Sequence, residues 1–134
     1  MKRLFSAFFA LTLISNLAMS QDTLRIEILG IRNDENVIML QLFNENEEVI
    51  RQKMGAIVEK KCTIIIEDLK PGKYAVRYYH DENGDGALDT NNLGIPTEGY
   101  GFSNDAYGMF GPKQFSEWLF EFNASKKIIL KINY

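Results

Sequence analysis

Apolar and polar side chains alternate with a period of two along most of this chain, and the alternation predicts strands. Leu24, Ile26 and Ile28 interleave with Arg25 and Glu27, the pattern of a half-buried strand, and Val37 to Phe43 resumes it after the turn residues Asn33-Asp34-Glu35-Asn36. The two segments are expected to pair as a hairpin. Residues 44–56 fit either an edge strand or a helical turn, because Val49, Ile50 and Met54 suit both periods. Ile57 to Glu67 is expected to be one long strand with Val58, Cys62, Ile64 and Ile66 on one face and Glu59, Lys61 and Thr63 on the other.

Asp68-Leu69-Lys70-Pro71-Gly72-Lys73 predicts a type II turn, with Pro71 fixing φ and Gly72 taking positive φ. It launches a strand in which Tyr74, Val76 and Tyr78 share a face while Arg77 extends from the other. Residues 93–114 are dense in glycine and proline, yet Ile95, Tyr100, Phe102, Tyr107, Met109 and Phe110 make them too apolar for a disordered linker. They should form an ordered excursion packed on the body of the domain. A turn at Ser116-Glu117, a strand to Phe122, a turn at Asn123-Ala124-Ser125 and a last strand from Lys127 to Tyr134 complete the chain. Six or seven short strands, one long ordered loop and no long helical pattern predict an all-β domain, an antiparallel β-sandwich.

The N-terminus follows another rule. Lys2 and Arg3 precede an apolar run from Leu4 to about Leu17, and the small-residue stretch Ala18-Met19-Ser20 follows. Residues 1–20 therefore read as a signal peptide cut before Gln21, leaving a single domain over residues 21–134. The expectation is a secreted protein, periplasmic or extracellular, with no membrane span after cleavage. A membrane β-barrel would need at least about eight strands of about ten residues each, more than the pattern supplies.

Removing Lys2 and Arg3 from 15 basic residues leaves 13 against 18 acidic ones, a net charge of −5, and no basic run remains; nucleic acid is not an expected partner. The one cysteine, Cys62, has no partner for an internal disulfide and reads as a small buried apolar side chain.

The negative charge is concentrated in HDENGDGALDTNNLG, residues 80–94, which hold four carboxylates, three asparagines and three glycines. Asp81, Asn83, Asp85 and Asp89 fall at positions 1, 3, 5 and 9 of a calcium loop; Gly86 takes the turn at position 6, and Ala87 offers its backbone carbonyl at position 7. Calcium takes six to eight hard oxygens at about 2.3–2.6 Å, and alternate residues of a coiled loop direct their side chains to one centre. Position 12 is Asn92, which cannot chelate as glutamate does, and a strand precedes the loop where an EF-hand has a helix. A further oxygen must come from Asn91, Asn92 or Glu98. The site residues predicted for a structural calcium are thus Asp81, Asn83, Asp85, Ala87, Asp89 and Asn92.

The run HDENGDGALDTNNLGIPTEGYGFSNDAYGMFGPKQF, with DLKPGKYAV upstream, resembles the bacterial family known as domain of unknown function 2141 over nearly all of the chain after the signal. The resemblance implies an exported envelope β-sandwich protein of an uncharacterised family and brings no activity or catalytic residues with it. The Leu69-x-Pro71-Gly72-x-Tyr74 turn is also similar to that of transthyretin-like and carboxypeptidase-regulatory-like domains, which implies an immunoglobulin-like or transthyretin-like sandwich.

Catalytic motifs are sparse. His80 is the sole histidine, Ser103 lacks the G-x-S-x-G setting of an exposed nucleophile, and Gly99-x-Gly101 is not completed by glycine at position 104. The loop carboxylates are close in sequence, whereas glycosidase carboxylates face each other across a cleft. Tyr100, Phe102, Tyr107, Phe110 and Trp118 are the ligand-binding candidates, able either to close one end of the core or to present flat rings to a ligand. The expected function is a non-catalytic module with a calcium-stabilised loop that binds a glycan, a peptide or a partner protein. The alternative is a hydrolase using the loop carboxylates.

Overall fold

The computed structural model describes residues 21–134; the signal peptide expected over residues 1–20 lies outside the described residues. The chain is all-β. Ten strands follow in order: β1 (Leu24–Leu29), β2 (Val37–Asn44), β3 (Val49–Val58), β4 (Lys61–Ile66), β5 (Gly72–Asp81), β6 (Tyr100–Phe102), β7 (Tyr107–Gly108), β8 (Gly111–Pro112), β9 (Phe120–Phe122) and β10 (Lys126–Lys131). Among the described residues no helix is long and apolar enough to cross a membrane.

The strands do not separate into two antiparallel sheets. They form one mixed sheet in the order β10-β1-β4-β3-β2-β5-β6, with β9 paired to the first residues of β5, and β7 and β8 make a small hairpin of their own. The sheet nearly closes on itself, because Tyr100 in β6 exchanges backbone hydrogen bonds of 2.8 and 3.0 Å with Asn133, just beyond β10. Closure of this kind removes sheet edges that would otherwise be open to other chains.

The expected β1–β2 hairpin is absent. β1 pairs in parallel with β10 and antiparallel with β4, so both its edges are taken, and β2 lies between β3 and β5. The inward residues of both strands, such as Ile26 and Leu40, still meet in one core. The strand expected from Ile57 to Glu67 is also broken. Glu59 and Lys60 both adopt left-handed backbone (φ 51° and 59°), and Asp34 Oδ1 accepts the Lys60 N–H at 2.6 Å. That two-residue turn folds β3 back on β4 and leaves Val58 68% exposed, not on the face of Cys62 and Ile64.

Residues 44–56 resolve into a turn and most of β3, whose last two residues leave β2 and pair with β4. Gly55 stands at that corner, where a Cβ would come within 2.2 Å of Cys62 Sγ. Gly72 does not take positive φ; Asp68 does (φ 56°), so the turn before β5 is not the type II expected from Pro71-Gly72.

Strand β5 positions the rest. Tyr74, Val76 and Tyr78 point into the core, as the alternation predicts, and Ala75, Arg77 and Tyr79 point outward. Across the outer face lies a second cluster of Phe43, Ala75, Phe102, Ala106 and Trp118, flanked by Tyr100, Tyr107, Phe115 and Leu119. The glycine-rich excursion is ordered because this aromatic layer pins it; the Phe102 and Trp118 rings lie 4.4 Å apart.

Candidate functional site

The acidic loop leaves β5 at Asp81 and returns at Glu98. Its left-handed corners are glycines, Gly84 (φ 74°) and Gly86 (φ 79°), which carry no Cβ to strain there. Short polar side chains build the coil between them: Asn83 Oδ1 accepts the Asp85 N–H at 3.1 Å, and Asp85 Oδ1 accepts the Ala87 N–H at 2.9 Å. Tyr79 donates its hydroxyl to the Gly86 carbonyl at 2.7 Å, fastening the loop to the outer face of β5.

Two buried carboxylates organise the interior of the loop. Glu98, 5% exposed, accepts the Glu82 N–H on one oxygen at 2.8 Å and the Asp89 N–H on the other at 3.1 Å. It straps the two limbs together. Asp81 is 3% exposed; its Oδ2 accepts the Gly86 N–H at 2.9 Å, while its Oδ1 is buried with no hydrogen-bond partner. Asp89 receives the Asn83 side-chain amide at 2.6 Å. Its carboxyl is held above the ordinary range, first by partial removal from water and then by repulsion from Asp85 and Glu98. The Tyr79 hydroxyl is pushed up as well, by burial and by the charges of Asp81, Glu98 and Asp85.

Of the residues expected to hold calcium, the structure gathers Asp81, Asn83, Asp85 and Asp89 around one coil, with Ala87 at its turn. Asn92 stands apart and exposed, and Asn91 spends its side-chain oxygen on the Leu93 and Ile95 N–H groups at 2.9 and 3.0 Å. Glu98 does fold back, but onto backbone amides. Among the described residues no three His, Cys, Asp or Glu side chains already stand in metal-holding geometry. The donor chemistry suits calcium all the same: hard oxygens, mutual repulsion and one buried oxygen without a partner.

The neighbouring ionisable groups are committed elsewhere. Glu82 turns away to Arg32, whose Nη2 and Nε lie 2.6 and 3.2 Å from its two oxygens, and Asn33 donates to it at 3.1 Å. Burial raises the Glu82 carboxyl, but Arg32 and Asn33 outweigh it and hold the group below the usual glutamate range. His80 is fully buried, with Nδ1 2.8 Å from the Tyr134 hydroxyl and Nε2 2.7 Å from the Glu35 carbonyl. A carbonyl only accepts, so Nε2 donates to Glu35, and Nδ1 is engaged with the Tyr134 hydroxyl, which also accepts the Arg32 N–H at 3.1 Å. Ser103 Oγ accepts the Val76 N–H at 3.0 Å and donates to the Trp118 carbonyl at 2.6 Å. Neither side chain has a polar atom to spare.

Beside the acidic loop runs a groove of about 680 Å³. It is lined by Leu88, Leu93 and Ile95 of the loop, by the exposed Met109 and Phe110 of the β7–β8 hairpin, and by Tyr100 with the buried Phe102 and Trp118. Four of the five aromatic candidates thus line one groove. Tyr107 does not: it packs behind Tyr100 and donates its hydroxyl to the Tyr100 carbonyl at 2.8 Å. Arg77 lines the groove as well. The period of β5 placed it outward, but only the fold sets it in the groove.

No curated protein matches the chain. Residues 26–129 match the family described as an uncharacterized protein conserved in bacteria (DUF2141). That match spans most of the chain and includes the acidic loop and the groove, and the chain belongs to this family.

Proposed function

We propose that the protein is an exported, non-catalytic binding module of the bacterial envelope or extracellular space, in which calcium held by the acidic loop stiffens one side of a recognition groove. One juxtaposition carries this reading: the loop that contains the buried, unpartnered Asp81 oxygen also supplies Leu88, Leu93 and Ile95 to the groove. Asp81, Asn83, Asp85 and Asp89 would hold the ion, with the Ala87 carbonyl. The ion would supply charge neutralisation and rigidity. The engaged state of Ser103 and His80 supports a non-catalytic role, since a nucleophile and a base need free polar atoms.

The test is thermal unfolding of the chain from Gln21 onward in EDTA and in about 10 mM calcium, at which an affinity typical of extracellular modules saturates the loop. Calcium should raise the melting temperature. Asp85→Ala should lower it in calcium and change it little in EDTA, where only the hydrogen bond to Ala87 is lost. Equal loss in both media rejects Asp85 as a ligand.

A further inference from the structure

We infer that the groove receives an anionic amphiphile, a free acyl carboxylate whose hydrocarbon chain lies along it and whose head meets Arg77; the inference rests on the recognition reading above. Leu93 (83% exposed), Ile95 (56%), Met109 (90%) and Phe110 (98%) are four of the ten exposed large hydrophobic residues among those described, and all four line this groove. Exposed apolar side chains gathered along one groove mark an interaction surface, because each loses contact with water when a chain lies against them.

Arg77 is the one charged side chain lining the groove, in a chain whose net charge is −3. No carboxylate pairs with it among the described residues. Its guanidinium is positioned: Gln41 Oε1 accepts from Nε and Nη2, and the Phe43 ring lies 5.6 Å below the charge. Gln41 occupies two of five donors, which leaves three N–H groups for a guest. Arg77 also lines an adjoining hollow of about 310 Å³ with Gln41 and Tyr79, so a polar head has space beside the charge.

The groove is poor in other hydrogen-bonding side chains. Trp118 already spends Nε1 on the Lys113 carbonyl at 3.1 Å. A sugar brings a hydroxyl on almost every carbon, and here most would be left unpaired, at a cost for each. A peptide added as a further strand needs free backbone partners, whereas the backbone groups beneath the groove are engaged in the β5–β6 ladder. One cation on an apolar bed matches a molecule that is apolar apart from one anionic end. Without calcium the loop carboxylates repel such a guest, and with it the repulsion is neutralised.

Trp118 is the sole tryptophan and lines the groove, so its emission reports occupancy. The test titrates the chain from Gln21 onward, in EDTA and in calcium, with dodecanoate kept below the solubility of its calcium salt and with submicellar dodecanol, dodecyltrimethylammonium and an oligogalacturonate. Dodecanoate should bind roughly tenfold or more tighter than dodecanol, the size expected of a charge-assisted contact. Arg77→Gln should erase that preference while dodecanol binding persists, and Met109→Ser should weaken both ligands together. Equal affinity for the three amphiphiles, tighter binding of oligogalacturonate, or self-association that alone shifts the emission overturns the proposal. If calcium raises the melting temperature but dodecanoate does not bind, the amphiphile falls and the calcium loop stands. If dodecanoate binds equally with and without calcium and the melting temperature ignores the ion, the calcium loop falls and the carboxylate site stands.

Discussion

Replacing Asp81 by asparagine probes the loop at the atom most in need of a partner. The side chain is 3% exposed and Oδ1 is buried without a hydrogen bond, a desolvation cost of about 1–3 kcal/mol for such a group. Asparagine has nearly the same shape, keeps an acceptor for the Gly86 N–H and removes the charge. In EDTA, Asp81→Asn should therefore melt within a few degrees of the wild type, because the lost repulsion offsets the amide NH2 left unpartnered in place of Oδ1; each kcal/mol of difference should appear as roughly 4–8 °C in a domain near this size. Calcium should separate the two. An ion bound at about 10⁻⁴ M and supplied at about 10 mM adds about 2.7 kcal/mol to the folded state. That is a rise of roughly 10–20 °C for the wild type. The variant, short of one charged oxygen, should keep less than half of it. Far-UV circular dichroism melts in EDTA, calcium and magnesium decide the matter. A wild-type shift below about 2 °C, or the same loss for the variant in both media, would exclude Asp81 as a calcium ligand.

Glu82→Gln should destabilise the protein at neutral pH, and the gap should close in acid: the folded carboxyl lies below its ordinary value, so its contribution is present above the unfolded value and is lost as pH falls through the folded one. Chemical denaturation at several pH values gives the difference directly. Gly101→Ala should cost about 1–3 kcal/mol or more, because the new Cβ would fall 2.2 Å from the ring and hydroxyl of Tyr78, which is fully buried and bonded to the Lys131 carbonyl. Gly86→Ala meets nothing within 4 Å and should cost only the strain of φ +79°, about 1–2 kcal/mol. Cys62 is buried and its thiol is pushed up to about 11 by desolvation, so a thiol reagent at mildly alkaline pH should label it only after denaturant is added.

What the chain determines locally is the all-β class, most strand positions, the inward face of each strand and the coil of the acidic loop. Period-two alternation fixes which side chains of Leu24–Leu29 or Tyr74–Tyr78 go inside, and Asx residues and glycines close a loop through neighbours two residues away. Alternation carries no information about which strand lies alongside, since the backbone bonds that pair strands are the same for every residue. So the partners of β1, the near closure through Tyr100 and Asn133, and the break at Glu59-Lys60 belong to the tertiary structure. The same holds for the site. Residue type marked the carboxylates and the aromatics, but only packing left one Asp81 oxygen without a partner, moved Tyr107 behind Tyr100 and placed Arg77 under an open groove. Burial and charge pairing arise between segments distant in the chain, and they are decided when those segments meet.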